Sequence, residues 1–243
     1  MIRRFFWLFY DHLGSVIALN LLWSALNIPY ALIAYTIAKI SLPMGPWVAL
    51  GGMVIAVQVA LFSPPSLVLY WAGASWVRGR ETPLREMWSR VKGQYGRAQL
   101  LQLILLFASS ALLLNAAFYR DFSGLFGLFL SALMAWVLIA LLLVSLYVVP
   151  VLVTQDTNVG NTLRQSALLA VTHLGHSLLQ GIVFCLFLAV GALSGIGLFC
   201  GVFAAWVLWF SVYLRGVLIE YTGERWEDEE HRSLRDIIRP WES

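Results

Sequence analysis

The chain is expected to be an all-α polytopic membrane protein, with six transmembrane helices and amphipathic interfacial helices on the cytoplasmic side. Three observations lead there. Of the 243 residues, 60% are hydrophobic and 12% charged, about half the charged share of an ordinary soluble domain. The apolar residues gather in six runs, each close to or beyond the roughly 17 to 25 residues that cross a bilayer. Finally, of the 16 Lys and Arg, all but Lys39 and Arg120 flank those runs on one side, which places both termini in the cytoplasm.

The first run, 13–40, is long enough to tilt or to extend into the interface, and Pro29 is expected to kink it. After a turn from Ser41 to Pro46, the run 47–73 makes the return crossing. Its consecutive prolines, Pro64 and Pro65, remove two backbone donors, so the freed groups need partners from neighbouring helices. The third run, 98–118, closes on the polar turn 119–123, and the fourth, 124–153, carries Pro150 as a further kink candidate. The fifth and sixth, 177–193 and 196–219, are separated by Ser194 and Gly195 alone, which predicts a tight hairpin. Residues 1–220 thus form one membrane domain and 221–243 a cytoplasmic tail.

Between the second and third runs, Thr82 and Pro83 suit the Ncap and N1 positions of a helix. Leu84, Met87, Trp88, Val91 and Tyr95 then recur at helical spacing, with Arg85, Arg90, Lys92 and Arg97 on other faces. That pattern predicts a basic amphipathic helix lying at the headgroup boundary, its charges set against lipid or a partner. A weaker version follows the fourth run, where Leu163, Ala167, Val171, Leu174 and Leu178 make a stripe from a cap at Asn161, beside Arg164. The tail repeats it with Leu234, Arg235, Ile237 and Ile238. Thr82-Pro83-Leu84-Arg85-Glu86, Thr162-Leu163-Arg164-Gln165 and Ser233-Leu234-Arg235-Asp236 share a hydroxyl, Leu and Arg order, which suggests three hairpin-plus-helix units.

Asn20-Leu21-Leu22-Trp23 followed by Leu26 and Pro29, then Val77-Arg78-Gly79, the basic aromatic helix around Met87, Trp88 and Lys92, and the segment from Asn161 to Leu179 resemble, in order, the YesL-like family of bacterial membrane proteins. The family has no agreed biochemical activity. The resemblance implies a multi-span bacterial plasma-membrane protein and an accessory or scaffold role beside carbohydrate uptake, with transporter subunits as partners. The chain departs from the pattern at Asn27-Ile28 and in its acidic tail, Glu227 to Glu230.

Charge inside the membrane would mark ion coupling, yet the centres of the six runs hold no Asp, Glu, Lys, Arg or His. Asn20, Asn27, Gln58 and Gln102 are the polar groups best suited to line a cavity, and they leave open a second reading, a small uncoupled transporter or channel. The competing expectation for each is an interhelical hydrogen bond. His173 and His176 stand three apart with no further ligand near in sequence, so no metal is expected. Cys185 and Cys200 read as small packing residues, and Asp11 with His12 as headgroup contacts. GxxxG spacing at Gly191–Gly195 and Gly197–Gly201 points to close helix packing. No nucleotide-binding loop is present, no cofactor is expected, and the basic residues beside apolar runs suit anionic lipid better than nucleic acid. A non-enzymatic protein is the expectation.

Overall fold

The structure, a computed structural model, describes residues 2–41, 46–80, 83–121, 124–194 and 201–222. Among them every regular element is helical: α1 Ile2–Asp11, α2 Leu13–Ser41, α3 Pro46–Leu61, α4 Pro64–Trp76, α5 Leu84–Arg120, α6 Leu125–Gln155, α7 Val159–Thr172, α8 Leu174–Ser194 and α9 Val202–Thr222. Four helices, α5, α6, α8 and α9, are long and apolar enough to cross a membrane. The number rises to six if the bent pairs α1 with α2 and α3 with α4 each count as one span.

The outside of the bundle is apolar. Phe107, Leu114, Leu125, Phe126 and Trp136 are all at least two-thirds exposed along the antiparallel pair α5 and α6. A soluble protein rarely exposes so wide an apolar face, whereas lipid accepts it without cost. The core lies where α4, α6 and α9 meet, around Tyr70, Tyr147, Trp206 and Phe210, with α2 and α8 packed alongside. Gly73 lets α4 and α9 approach closely: a Cβ there would sit 2.7 Å from Ser211 Oγ.

α1 turns away from α2 by 81° at His12. Its ten residues reach about 15 Å, half the hydrocarbon thickness, so it is too short to cross alone. It is amphipathic instead: Phe5, Leu8 and Phe9 pack on the core, Phe5 edge-on to Trp209, while Ile2, Phe6 and Tyr10 face outward. This helix precedes the first expected run, which begins at residue 13. Pro29 falls inside α2, where only the backbone is described.

The double proline does break the second run. α3 ends at Leu61, Ser63 is extended, and Pro64 and Pro65 start α4, with a bend of 59° between the two helices. Proline suits a first helical turn because its missing N–H has no intrahelical partner there. The freed Phe62 carbonyl accepts from Gln99 Nε2 of α5 at 3.2 Å, and Trp23 Nε1 of α2 donates to Ser66 Oγ at 2.6 Å. α6, by contrast, runs through Pro150 without ending, and Thr154 Oγ1 donates to the Pro150 carbonyl at 2.8 Å.

Several expectations need correction. The basic amphipathic segment is no separate helix lying flat: it is the first third of α5, a continuous helix of 37 residues and about 55 Å. Only part of its apolar stripe faces protein, since Met87 and Val91 are buried while Leu84, Trp88 and Tyr95 are exposed. Its N-cap is Pro83, and Thr82 lies outside the described residues. α7 is capped by Asn158, whose side chain accepts from Asn161 N at 2.9 Å, three residues before the expected position. Its buried face is Thr162, Ser166 and Ala170, so the apolar stripe at Val171, Leu174 and Leu178 points outward, the last two from α8. α9 is described from Val202; the expected start of the last run at 196, Cys200, residues 42–45 and residues 195–200 of the GxxxG segments lie outside the described residues, as do the tail residues from 223, Arg235 included. Cys185 is exposed on α8 and not packed inside.

Candidate functional site

The amide side chains expected to line a cavity occupy helix contacts instead. Asn20 is fully buried and its Oδ1 accepts from Ala204 N at 3.1 Å, in the first turn of α9. The first N–H groups of a helix have no intrahelical acceptor, so α2 caps α9 from outside the chain order. Gln58 Nε2 of α3 donates to Ser109 Oγ of α5 at 2.8 Å. Asn27 turns back on its own helix, donating to the Trp23 carbonyl at 2.8 Å, and Gln102 is buried on the inner face of α5. Gln180 Oε1 accepts from Trp209 Nε1 at 2.9 Å, a further α8 to α9 tie. None of the four candidates lines either cavity described below.

The largest polar concavity among those described opens at the arginine-rich end, between the C-terminus of α4, the first turns of α5 and the end of α6. Its volume is about 790 Å³. Each wall has a local cause in the sequence. α4 ends in a Schellman turn: Gly79 takes φ +65°, its N–H donates to the Trp76 carbonyl, and Arg80 N donates to Ser75 O, both at 3.0 Å. That turn fixes the backbone of Arg78 and Arg80 at the rim. α5 presents Glu86, Arg90, Gln94 and Arg97 on one face, and Arg90 joins Glu86 at 2.9 Å in an i, i+4 pair.

α6 ends at Asp156, which takes the left-handed conformation, φ 48° and ψ 41°. Asp pays less for this than most residues because its short carboxylate can bond locally. Here the carboxylate is held from outside: Oδ1 accepts from Gln94 Nε2 at 2.9 Å and from Arg97 Nη2 at 2.6 Å. Arg97 Nη1 also donates to the Thr157 carbonyl at 2.9 Å. The hydrogen bonds from Gln94 and Arg97, helped by the charges of Arg97 and Arg90, hold the Asp156 carboxyl below the usual carboxylate range. Buried Gln94 accepts in turn from Trp71 Nε1 of α4 at 3.1 Å, and the Arg90 guanidinium lies 5.1 Å from the centre of the Trp71 ring. Trp71, Gln94, Arg97 and Asp156 therefore make a rigid floor that ties three helices.

A small niche of about 20 Å³ adjoins the cleft, which shares with it Ala74, Arg78 and Thr154. That is room for about one water-sized group. Tyr70, Ser211 and Arg215 line it more deeply, and the Tyr70 hydroxyl makes no hydrogen bond to a described residue although the side chain is 2% exposed.

Of the residues expected at headgroups or partners, Arg90 and Arg97 enter the cleft wall, while Arg85, Trp88, Lys92 and Arg164 are exposed outside it. The His pair does not converge: the rings are 6.4 Å apart, His173 Nε2 meets Tyr221 Oη at 2.9 Å, and His176 stacks on Tyr213. His12 stacks on Trp76, with ring centroids 4.7 Å apart. Asp156, the hub of the floor, was missed because nothing in a lone acid after a long apolar run signals a partner on another helix. Compared with known proteins, the chain matches no family model, no curated sequence and no solved structure.

Proposed function

We propose that this chain is a bacterial plasma-membrane protein of six spans with both termini in the cytoplasm, acting without catalysis as an accessory or scaffold component beside a carbohydrate-uptake system. In this reading α2, the broken pair α3 and α4, α5, α6, α8 and α9 cross the bilayer, and α1 lies in the interface. The arginines at the end of α4 and the start of α5 sit at the cytoplasmic leaflet. The sugar-uptake context rests on the YesL-like sequence motifs alone.

One observation supports an accessory role over solute passage. The buried amides Asn20 and Gln58 are engaged by neighbouring helices, while the roomy polar surface stands at the basic end. A partner subunit meeting that end would find charge, an anchored tryptophan and a defined shape. The rival reading, a small uncoupled transporter or channel, draws on the break at Phe62 and Ser63, since interrupted helices line the substrate sites of many transporters. Against it, Gln99, Ser66 and Trp23 already occupy the polar groups at that break.

Isolation from native membranes in mild detergent, with identification of co-purifying proteins, tests the reading. Recovery of an importer permease or ATPase is expected. Recovery of the protein alone, together with sugar flux through liposomes holding only this chain, would replace it with the rival.

A further inference from the structure

We infer that the cleft formed by the end of α4, the start of α5 and the end of α6 is a binding site for a phosphate-bearing anion, with Arg80 and Arg90 on its oxygens and the niche at Tyr70 taking one oxygen or a bridging water. This goes beyond the accessory role and stands or falls separately from it.

Among the described residues four arginines, Arg78, Arg80, Arg90 and Arg97, and two carboxylates, Glu86 and Asp156, line the cleft, and Arg78 is already engaged. Structure accounts for part of that charge. Arg97 is spent on Asp156 and on the carbonyl of Thr157, where it also offsets the negative end of α6. Arg90, on the cleft wall, gives Nε and Nη2 to a single oxygen of Glu86, and its Nη1 makes no hydrogen bond to a described residue. Arg80 is exposed, and no ion pair is recorded for it among the described residues, while the Schellman turn holds its backbone in place. The positive charge that remains is preorganised, because the floor beneath it is tied by Gln94 and Trp71.

Shape and depth point the same way. A volume of about 790 Å³ falls within the range of small-molecule sites, roughly 300–1,000 Å³, and its walls are largely polar side chains. The niche adds the Tyr70 hydroxyl, a hydrogen-bonding group that makes no hydrogen bond to a described residue and could meet an oxygen there. Guanidinium groups favour phosphate over a monatomic anion such as chloride through paired N–H donors at a fixed spacing. The same chemistry has two sources, a soluble phosphate ester or the headgroup of an anionic phospholipid reaching in from the leaflet.

The test uses the full chain in phosphatidylcholine nanodiscs. In one arm pyrophosphate is titrated at constant ionic strength and heat of binding is followed; in the other, phosphatidylglycerol is added to the disc and its retention read by native mass spectrometry. Saturable binding of pyrophosphate assigns the soluble source, and retention of phosphatidylglycerol without pyrophosphate binding assigns the headgroup. In whichever arm binds, Arg80→Ala and Arg90→Ala each weaken binding about tenfold, the loss of one charge-assisted contact. Tyr70→Phe weakens it less. Arg80→Ala breaks no recorded ion pair, so it is expected to fold as the parent chain does. No saturable binding in either arm, or binding unchanged by both Arg80→Ala and Arg90→Ala, overturns the inference.

Discussion

The interior of the bundle and its basic end both hold polar side chains, but they use them in opposite ways. Inside, most of the polar side chains named above fasten two helices, while Asn27 is held on its own helix. Asn20 caps α9, Gln58 meets Ser109, Trp23 meets Ser66 and Trp209 meets Gln180. In lipid each such group must find a protein partner, so few donors are left to face a passing solute. At the basic end the floor is just as closely knit, yet arginine donors remain above it. Polarity in the membrane therefore marks assembly in this molecule, and polarity at the rim marks a surface able to receive something.

Substitutions can break or sharpen that contrast. The largest effect is expected from Gly73→Ala, which puts a methyl 2.7 Å from Ser211 Oγ at the α4–α9 contact, so that the hydroxyl must give up its bond to the Val207 carbonyl or the helices must shift. Overpacking of this kind costs about 1–3 kcal/mol, and adding Ser211→Ala should recover part of it in a detergent melting experiment. Asn20→Ala removes the acceptor at the first turn of α9 and should cost about 1 kcal/mol, the usual worth of an N-cap, with the melting temperature falling accordingly.

Smaller changes separate the two regions more finely. Asp156 has a folded-state pKa held below the unfolded carboxylate value of about 3.9, so its contribution is fully present above that value and is lost as pH falls through the folded pKa. Melting temperature should thus be insensitive to this group between pH 7 and 5, and the gap between the parent chain and Asp156→Asn should close below about pH 4. The size is under about 1 kcal/mol, because Asp156 is 64% exposed and screened by solvent. The smallest effect is expected for Gln58→Leu combined with Ser109→Ala, which removes both partners of an intramembrane pair at once. Such pairs average about 0.6 kcal/mol, and a larger loss would mean that Gln58 does more than join α3 to α5.

Much of the fold was legible because length and apolarity suffice to mark a membrane helix. The first run was placed at 13–40 and α2 ends at Ser41; the paired prolines identified the break before α4. What escaped notice depended on contacts that sequence does not encode locally. Thr82 and Pro83 announce a helix start, but Gly93 and Gly96 do not stop it, so the amphipathic segment and the third run are one helix. Arg3 and Arg4 beside aromatic residues looked like a flank, and only the bend at His12 makes α1 an element. The site was half legible: Arg90 and Arg97 were singled out, whereas Trp71, Gln94 and Asp156 join them only through packing of α4, α5 and α6.

The most direct test of this division is a single melting comparison in nanodiscs, with and without the phosphate-bearing ligand, for the parent chain, Asn20→Ala and Arg80→Ala. Asn20→Ala should melt earlier yet keep the full ligand-induced rise, while Arg80→Ala should melt with the parent chain and lose most of that rise. The reverse pattern, in which Asn20→Ala abolishes the rise or Arg80→Ala lowers the baseline and keeps it, would contradict the account.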